Sequence, residues 1–103
     1  MPAYNPPIRG NAFRCYISLI SQATPATFQS TPTIASGDFK VSKDGGALAN
    51  LATLPAVTPA ASKMVQIDLS GTEMTADNVT VVCSDAAGAE WADLTFNILT
   101  TAS

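Results

Sequence analysis

The side chains in this sequence that could do chemistry are eight carboxylates and two cysteines, and the sequence contains no histidine. Histidine is the commonest general base, the usual activator of a nucleophile and the commonest metal ligand. A carboxylate pair can still hydrolyse a glycosidic bond. However, Glu73 completes a capping box in "SGTE" and Glu90 stands beside a turn, which favours structural roles for both. We therefore expect no enzyme, and a carboxylate-dependent hydrolase is the least favoured alternative.

The spacing of the aspartates does not predict a metal site. Most of them lie at strand ends or in turns, where a carboxylate accepts local backbone hydrogen bonds. They are Asp38, Asp44, Asp68, Asp77, Asp85 and Asp93. The D-x-D-x-D-G spacing of a calcium loop is absent, and a cluster of Asp38 with Asp77 or Asp85 at loop ends is an open alternative. Two cysteines without histidine or a C-x-x-C pair do not make a zinc site, so no metal and no cofactor are expected.

The glycine-containing stretch "SKDGGA" at 42–47 raises the question of a phosphate-binding loop. It lacks the G-x-G-x-x-G pattern and the P-loop ending, and no helix follows to present its N-terminus to a phosphate. Asp44-Gly45 between two alternating runs is a strong hairpin signal, because both residues tolerate a positive φ. The stretch is predicted to be a turn.

The residues discussed above must be positioned by short segments in which apolar and polar residues alternate. The sequence contains no amphipathic helix of normal length. The strongest alternation lies at 13–20, 38–43, 62–69, 78–85 and 91–100. The connection 21–37 contains two prolines and is expected to hold a short edge strand near Phe28. A further short strand is predicted at 47–51, then a proline-containing connection to about residue 61, and one helical turn at 70–73. About seven short strands predict an all-β fold, an antiparallel β-sandwich.

Charge is scarce: charged residues make up 13% of the chain, against about 25% in an average domain. Residues 15–37 and 45–62 carry no charge at all, yet prolines and polar groups exclude both as membrane helices. The five basic residues are dispersed, so no nucleic-acid footprint is visible. A surface this poor in charge suits a small part that neighbouring subunits cover.

The first 12 residues are rich in proline and are predicted to form an extended N-terminal arm, with the sandwich at 13–103. They contain no basic region followed by an apolar run, so we expect no secretory signal and retention in the cytosol. The candidate partner contacts in this arm are Tyr4, Pro6, Pro7 and Arg9.

Two further candidate contacts are Phe28 and Trp91. Trp91 is in phase with Asp93 and Thr95, so it is predicted to point away from the core. A tryptophan that points away from the core is costly to leave in water, and tryptophan is enriched at interface hot spots. Either a partner subunit or the chain's own arm or loop is expected to cover it.

The run from Asp38 to Ile98 resembles the small immunoglobulin-like β-sandwich modules found in virion proteins of tailed bacteriophages. The residues that carry this likeness are Asp44, Gly45, Gly46, Val65, Ile67, Leu69, Ser70, Glu73, Asp85, Gly88 and Ala89. The resemblance implies a non-enzymatic structural protein of the head decoration, neck, tail or baseplate, assembled in the host cytoplasm. Its expected partners are other virion proteins and further copies of itself, with neither nucleic acid nor membrane involved.

A second class of function is a module on a phage tail or fibre that binds a glycan or protein on the host surface. Such a module would use exposed aromatic side chains, for which Trp91 and Tyr16 are the candidates.

Cys15 and Cys83 both fall on the predicted inward face of a strand. Their separation resembles the cysteine pair of immunoglobulin domains, which would imply a disulfide. The rest of that pattern is missing, since Val81 stands where a tyrosine is expected and no tryptophan lies between the cysteines. Two buried thiols in a reducing cytosol are the favoured interpretation.

Overall fold

Strands and their connections make up the described part of the chain. The computed structural model describes residues 7–85, 88 and 90–102. Its strands are β1 (Phe13–Ser18), β2 (Phe39–Lys43), β3 (Ala49–Asn50), β4 (Ala56–Val57), β5 (Met64–Leu69), β6 (Asn78–Cys83) and β7 (Leu94–Leu99). All the strand pairs are antiparallel, and these residues form no helix, which confirms the predicted all-β class. The described residues also contain no helix that could cross a membrane.

The seven strands form two sheets with a common core. One sheet has the order β1-β5-β4, and the other has the order β3-β2-β6-β7. The buried core cluster takes residues from both sheets: Val65, Ile67 and Leu69 from β5, and Phe39, Val41, Val79, Val81, Cys83 and Ile98 from β2, β6 and β7. The arrangement is thus a β-sandwich in which each sheet covers one side of the core.

Alternation of apolar and polar residues explains which face of each strand is buried. In β5, Val65 and Ile67 are fully buried, whereas Gln66 and Asp68 lie on the opposite, partly exposed face. Burial of one such aliphatic side chain stabilises the fold by roughly 1.5–3 kcal/mol. A slip of one residue would turn these side chains outward, so the pattern also determines the register. The same alternation holds in β6 and β7, as predicted.

Some short elements differ from the prediction. The strand expected at 47–51 has only two paired residues, Ala49–Asn50. Residues 52–61 were expected to be connection alone, but they contain β4, which pairs with β5. Near Phe28 the chain makes a single bridge, to Ile20. Prolines remove backbone donors, which accounts for the short pairing at β4 and near Phe28, whereas the segment 47–51 contains no proline.

The hairpin predicted at "SKDGGA" is present. Asp44 and Gly45 have φ angles of 51° and 78°, and the Gly46 N–H donates to the Lys43 carbonyl at 2.9 Å. Two consecutive positive φ angles are the mark of a type I′ turn, whose twist matches that of the strands. The Asp44 carboxylate also accepts the Asn78 N–H at 2.9 Å, so it ties the turn to the start of β6.

The capping box predicted after β5 is also present. The Glu73 N–H donates to the Ser70 hydroxyl at 3.2 Å, and the Ser70 N–H donates to the Glu73 carboxylate at 2.8 Å. The Met74 N–H donates to the Ser70 carbonyl at 3.0 Å, which closes one turn. The second Glu73 oxygen accepts the Ala52 N–H at 3.0 Å and joins this turn to the connection after β3.

Candidate functional site

Trp91 is buried, contrary to the prediction that it points away from the core. It is 1% exposed, and its ring centroid lies 6.0 Å from that of Phe39. The prediction treated 91–100 as one strand, whereas β7 begins only at Leu94. Trp91 instead forms a bridge with Ser21, in the segment that follows β1. The alternation is therefore broken before β7, and Trp91 is not an exposed partner contact.

The candidate contacts of the N-terminal arm have different outcomes. Tyr4 and Pro6 lie outside the described residues. Pro7 accepts the Thr101 N–H at 2.8 Å through its carbonyl, and the Arg9 N–H donates to the Thr101 carbonyl at 3.0 Å. The described part of the arm therefore lies beside the end of its own chain.

The Arg9 side chain adds one surface ion pair to this arrangement. Its guanidinium lies 3.1 Å from the carboxylate of Asp77, and the two side chains are 51% and 80% exposed. Solvent screens such a pair strongly, so it contributes little to the stability of the fold.

Phe28 is the sequence-predicted contact that the structure places on an exposed apolar surface. Its side chain is 51% exposed, and it bridges Ile20, which is 42% exposed. Both residues line a shallow groove of about 380 Å³, together with Pro25, Ala26, Thr27 and Lys63. Lys63 is the one charged residue of this lining, so the groove presents mainly apolar surface to solvent.

Backbone hydrogen bonds hold the loop that carries Phe28. The Gln29 N–H donates to the Leu19 carbonyl at 2.6 Å, and the Ser21 N–H donates to the Thr27 carbonyl at 2.9 Å. The Ser21 hydroxyl accepts the Thr24 N–H at 3.1 Å inside the loop. Because both ends are fixed, Ile20 and Phe28 are presented side by side without much loss of conformational entropy on binding.

The outer face of the three-stranded sheet is polar and charged. Arg14 on β1 lies directly opposite Asp68 on β5, and its Nε donates to the carboxylate at 2.6 Å. The hydrogen bond from Arg14 is the main reason why the pKa of Asp68 is lowered from its ordinary value. At the next cross-strand pair on the same face, two residues further along β1, the Tyr16 hydroxyl donates to the Gln66 side chain at 3.1 Å. Tyr16 is thus part of a cross-strand polar pair.

The outer face of the four-stranded sheet is built differently. Its β2, β6 and β7 positions are Lys40, Ser42, Asn78, Thr80, Val82, Thr95, Asn97 and Leu99. Lys40 is the one charged residue among them. The Thr80 hydroxyl donates to the Asn97 side-chain oxygen at 2.7 Å across β6 and β7. Leu99 ends this face with 72% of its surface exposed.

Both glutamates and Asp85 accept backbone hydrogen bonds. Glu90 accepts the Thr33 N–H at 2.7 Å, and Asp85 accepts the N–H groups of Gly88 and Glu90, each at 2.9 Å. With the Glu73 contacts, this confirms that both glutamates have structural partners. The described residues hold no cluster of three or more side chains that could bind a metal ion.

The two cysteines are free thiols, one on each sheet. Burial raises the pKa of Cys15 to about 11 and that of Cys83 to about 12. Both thiols are therefore protonated at neutral pH, and Cys83 is fully buried in the core. Cys15 is only partly buried, so the prediction of two buried thiols holds fully for Cys83 alone. Protonated thiols packed against a core behave as small hydrophobic side chains and are poor nucleophiles.

Two surface residues had a sequence signal that the prediction did not use. Ile20 was the exception to the alternation of 13–20, and Leu99 falls in the outward phase of the last strand. Both are large apolar residues at positions where the pattern requires polar ones, and both are exposed. An apolar residue in the outward phase is thus a usable signal for exposed apolar surface.

Comparisons with known proteins leave the family open: no family model, no curated protein and no solved structure matches this chain.

Proposed function

We propose that this chain is a non-enzymatic structural protein of a bacteriophage virion, an immunoglobulin-like sandwich that docks on neighbouring subunits in a symmetric assembly. The assembly would be a capsid decoration, a neck or a tail component. The observation that carries the proposal is the exposed pair of Ile20 and Phe28, which lies in a groove with a single charged residue.

Apolar side chains held next to each other are what a docking surface needs. Each loses contact with water when a neighbour covers it, and the gain is about 25 cal/mol per Å² of apolar surface. The long uncharged stretch 15–37 supplies all of this lining except Lys63, so a neighbour that covers the groove has to strip water from one ion at most. The likeness of the run 38–98 to phage virion modules supplies the class of assembly.

The glycan-binding alternative receives less support. It depended on exposed aromatic rings at Trp91 and Tyr16. Trp91 is buried against Phe39, and the Tyr16 hydroxyl bonds to Gln66 within its own sheet. No pair of exposed aromatic rings is left among these candidates to stack on a sugar.

The proposal is tested by adding the purified chain to particles of the phage that encodes it, assembled without it. We expect the chain to sediment with the particles, and Phe28→Ser to lose most of this binding because it removes the apolar ring. Leu54→Ser is the matched control, since Leu54 is exposed to a similar extent (53% against 51%) outside the groove and its replacement should leave binding intact. A folded, stable monomer that does not bind the particles contradicts the proposal.

A further inference from the structure

The two sheets end in four edge strands, and these are unequally protected. At two of the edges, β3 and β4 have two residues each, and Pro55 directly precedes β4. A third edge, β1, carries the charge of Arg14. The fourth, β7, is six residues long and contains neither a charge nor a proline. Short strands, charges and prolines are the devices that keep an edge from pairing with another chain, and β7 has none of these three.

The hydrogen bonds at the end of β7 show which of its backbone groups point outward. The Thr100 N–H donates to the Asp77 carbonyl at 3.0 Å, on the side of β6. Because the N–H and C=O groups of a strand change sides at every residue, Ile98 and Phe96 also bond towards β6. The backbone groups of Thr95, Asn97 and Leu99 therefore face the open edge.

The chain's own arm closes one end of this edge. Thr101, the next outward-facing residue, exchanges hydrogen bonds with Pro7 and Arg9, in a parallel bridge centred on Ile8. To continue the same parallel ladder, the N–H of residue 7 would have to donate to the Leu99 carbonyl. Residue 7 is a proline and has no N–H, so it cannot give this hydrogen bond, and the described part of the arm pairs with Thr101 alone.

We propose that the open edge of β7 pairs with β7 of a second copy of this chain, antiparallel, with Asn97 opposite Asn97 on a two-fold axis. In this register, Thr95 of each copy faces Leu99 of the other. All three pairs join residues whose N–H and C=O groups face the edge, so each pair exchanges two hydrogen bonds. The edge is therefore complementary to itself, as a two-fold interface requires.

The side chains also fit this register. A two-fold axis perpendicular to the sheet keeps the inward face inward, so Phe96 and Ile98 remain on the core side in both copies. The outward face brings together Thr95, Asn97 and Leu99, which carry no charge, so no like charges meet. The exposed Leu99 gains a neighbour from the second copy.

The ends of the ladder also accommodate a second copy. In the same register, Asp93 of one copy comes opposite Thr101 of the other, where Arg9 is bound. Both charged side chains already have partners in their own chain, so neither is left unpaired at the ends of the two-fold pair. Since β7 starts at Leu94, the chain of the second copy leaves the ladder where the arm already occupies the edge.

This inference deepens the proposed function, on which it rests, because it names one neighbouring subunit and the strand that meets it. The test follows the oligomeric state of the full chain by sedimentation at low salt, over a range of concentrations. We expect a dimer. Asn97→Lys or Asn97→Asp alone should raise the dimer dissociation constant by about fivefold, because like charges then face each other on the axis. An equimolar mixture of the two variants should form heterodimers at least as stable as the wild-type dimer.

Asn97→Ala is the matched control, because it also removes the oxygen that accepts the Thr80 hydroxyl but adds no charge. It should leave the dimer intact. Asn97→Pro deletes both central N–H donors and should weaken the dimer on the order of thirtyfold, with a circular dichroism spectrum that shows the fold retained.

Three outcomes would overturn the inference: a wild-type monomer at its highest soluble concentration, charge variants that dimerise like the wild type, or a mixture with no heterodimer. A monomer that still binds phage particles would reject the β7 pairing and leave the proposed function standing. A dimer that does not bind the particles would reject the proposed function and leave the β7 pairing standing.

Discussion

The outer face of the three-stranded sheet carries an ion pair, whereas that of the four-stranded sheet carries hydroxyls, amides, a single lysine and an exposed leucine. On β1 and β5, Arg14 and Asp68 face each other across the strands. On β6 and β7, the corresponding cross-strand pair is Thr80 with Asn97. Charged groups are costly to bury, while neutral hydroxyls and amides are less so. The second face would therefore cost less to cover than the first.

The edge strands of the two sheets also differ, in the features that protect an edge from pairing with another chain. β4 ends the three-stranded sheet with two paired residues between Pro55 and Pro59. β7 ends the four-stranded sheet with six residues and neither a charge nor a proline. Two edge strands around one core can therefore be protected to different degrees, and the difference lies in their length and in the prolines beside them.

The largest effect on this comparison is expected from Trp91→Ala, which removes the side chain that anchors the chain just before β7. Deletion of a fully buried aromatic ring costs about 3–5 kcal/mol in the free energy of unfolding. Urea titration should show this loss. Trp91→Phe should lose clearly less, since it keeps a ring against Phe39 and removes an indole N–H that is buried without an acceptor. Equal losses for both variants would contradict the anchoring role.

A smaller loss is expected from Gly71→Ala, which disturbs the arm that closes the end of the β7 edge. A Cβ at this position would lie 2.7 Å from the Gly10 carbonyl oxygen, so the backbone at Gly10 must move. The hydrogen bond from the Gly10 N–H to the Met74 carbonyl, which is 3.1 Å long, would then weaken. We expect a loss of about 1–3 kcal/mol by thermal or urea unfolding. Thr72→Ala, on the exposed side of the same turn, should be nearly neutral, and a similar loss there would argue against this contact.

The smallest effect is expected from Asp68→Asn, on the charged face of the other sheet. Arg14 lowers the pKa of Asp68 below its ordinary value of 3.8, so the folded state holds this proton less tightly than the unfolded state does. The stabilisation is present above pH 3.8 and is lost as the pH falls through the folded pKa. Urea titrations should show that the free energies of unfolding of the wild type and the variant differ slightly at pH 7 and converge at acid pH. A difference that grows towards low pH would contradict this assignment.

Much of the sandwich could be predicted because its signals are local. The alternation in β5, the positive φ angles at Asp44-Gly45 and the reciprocal bonds of Ser70 and Glu73 each depend on residues close in sequence. Trp91 could not be placed in this way, because two residues outside β7 separate it from the strand and break the alternation. β4 was missed for a similar reason, since its two residues pair with β5 without a pattern of their own.

The sequence by itself determined the all-β class, the faces of the long strands, two of the turns and the scarcity of charge. These follow from side-chain period and composition, which act over a few residues. Only the tertiary structure decided that Trp91 is in the core, that Ile20 and Phe28 share one groove, and that β7 is an edge strand beside the arm. Such features join residues far apart in the chain, so they depend on the order of strands in the sheets.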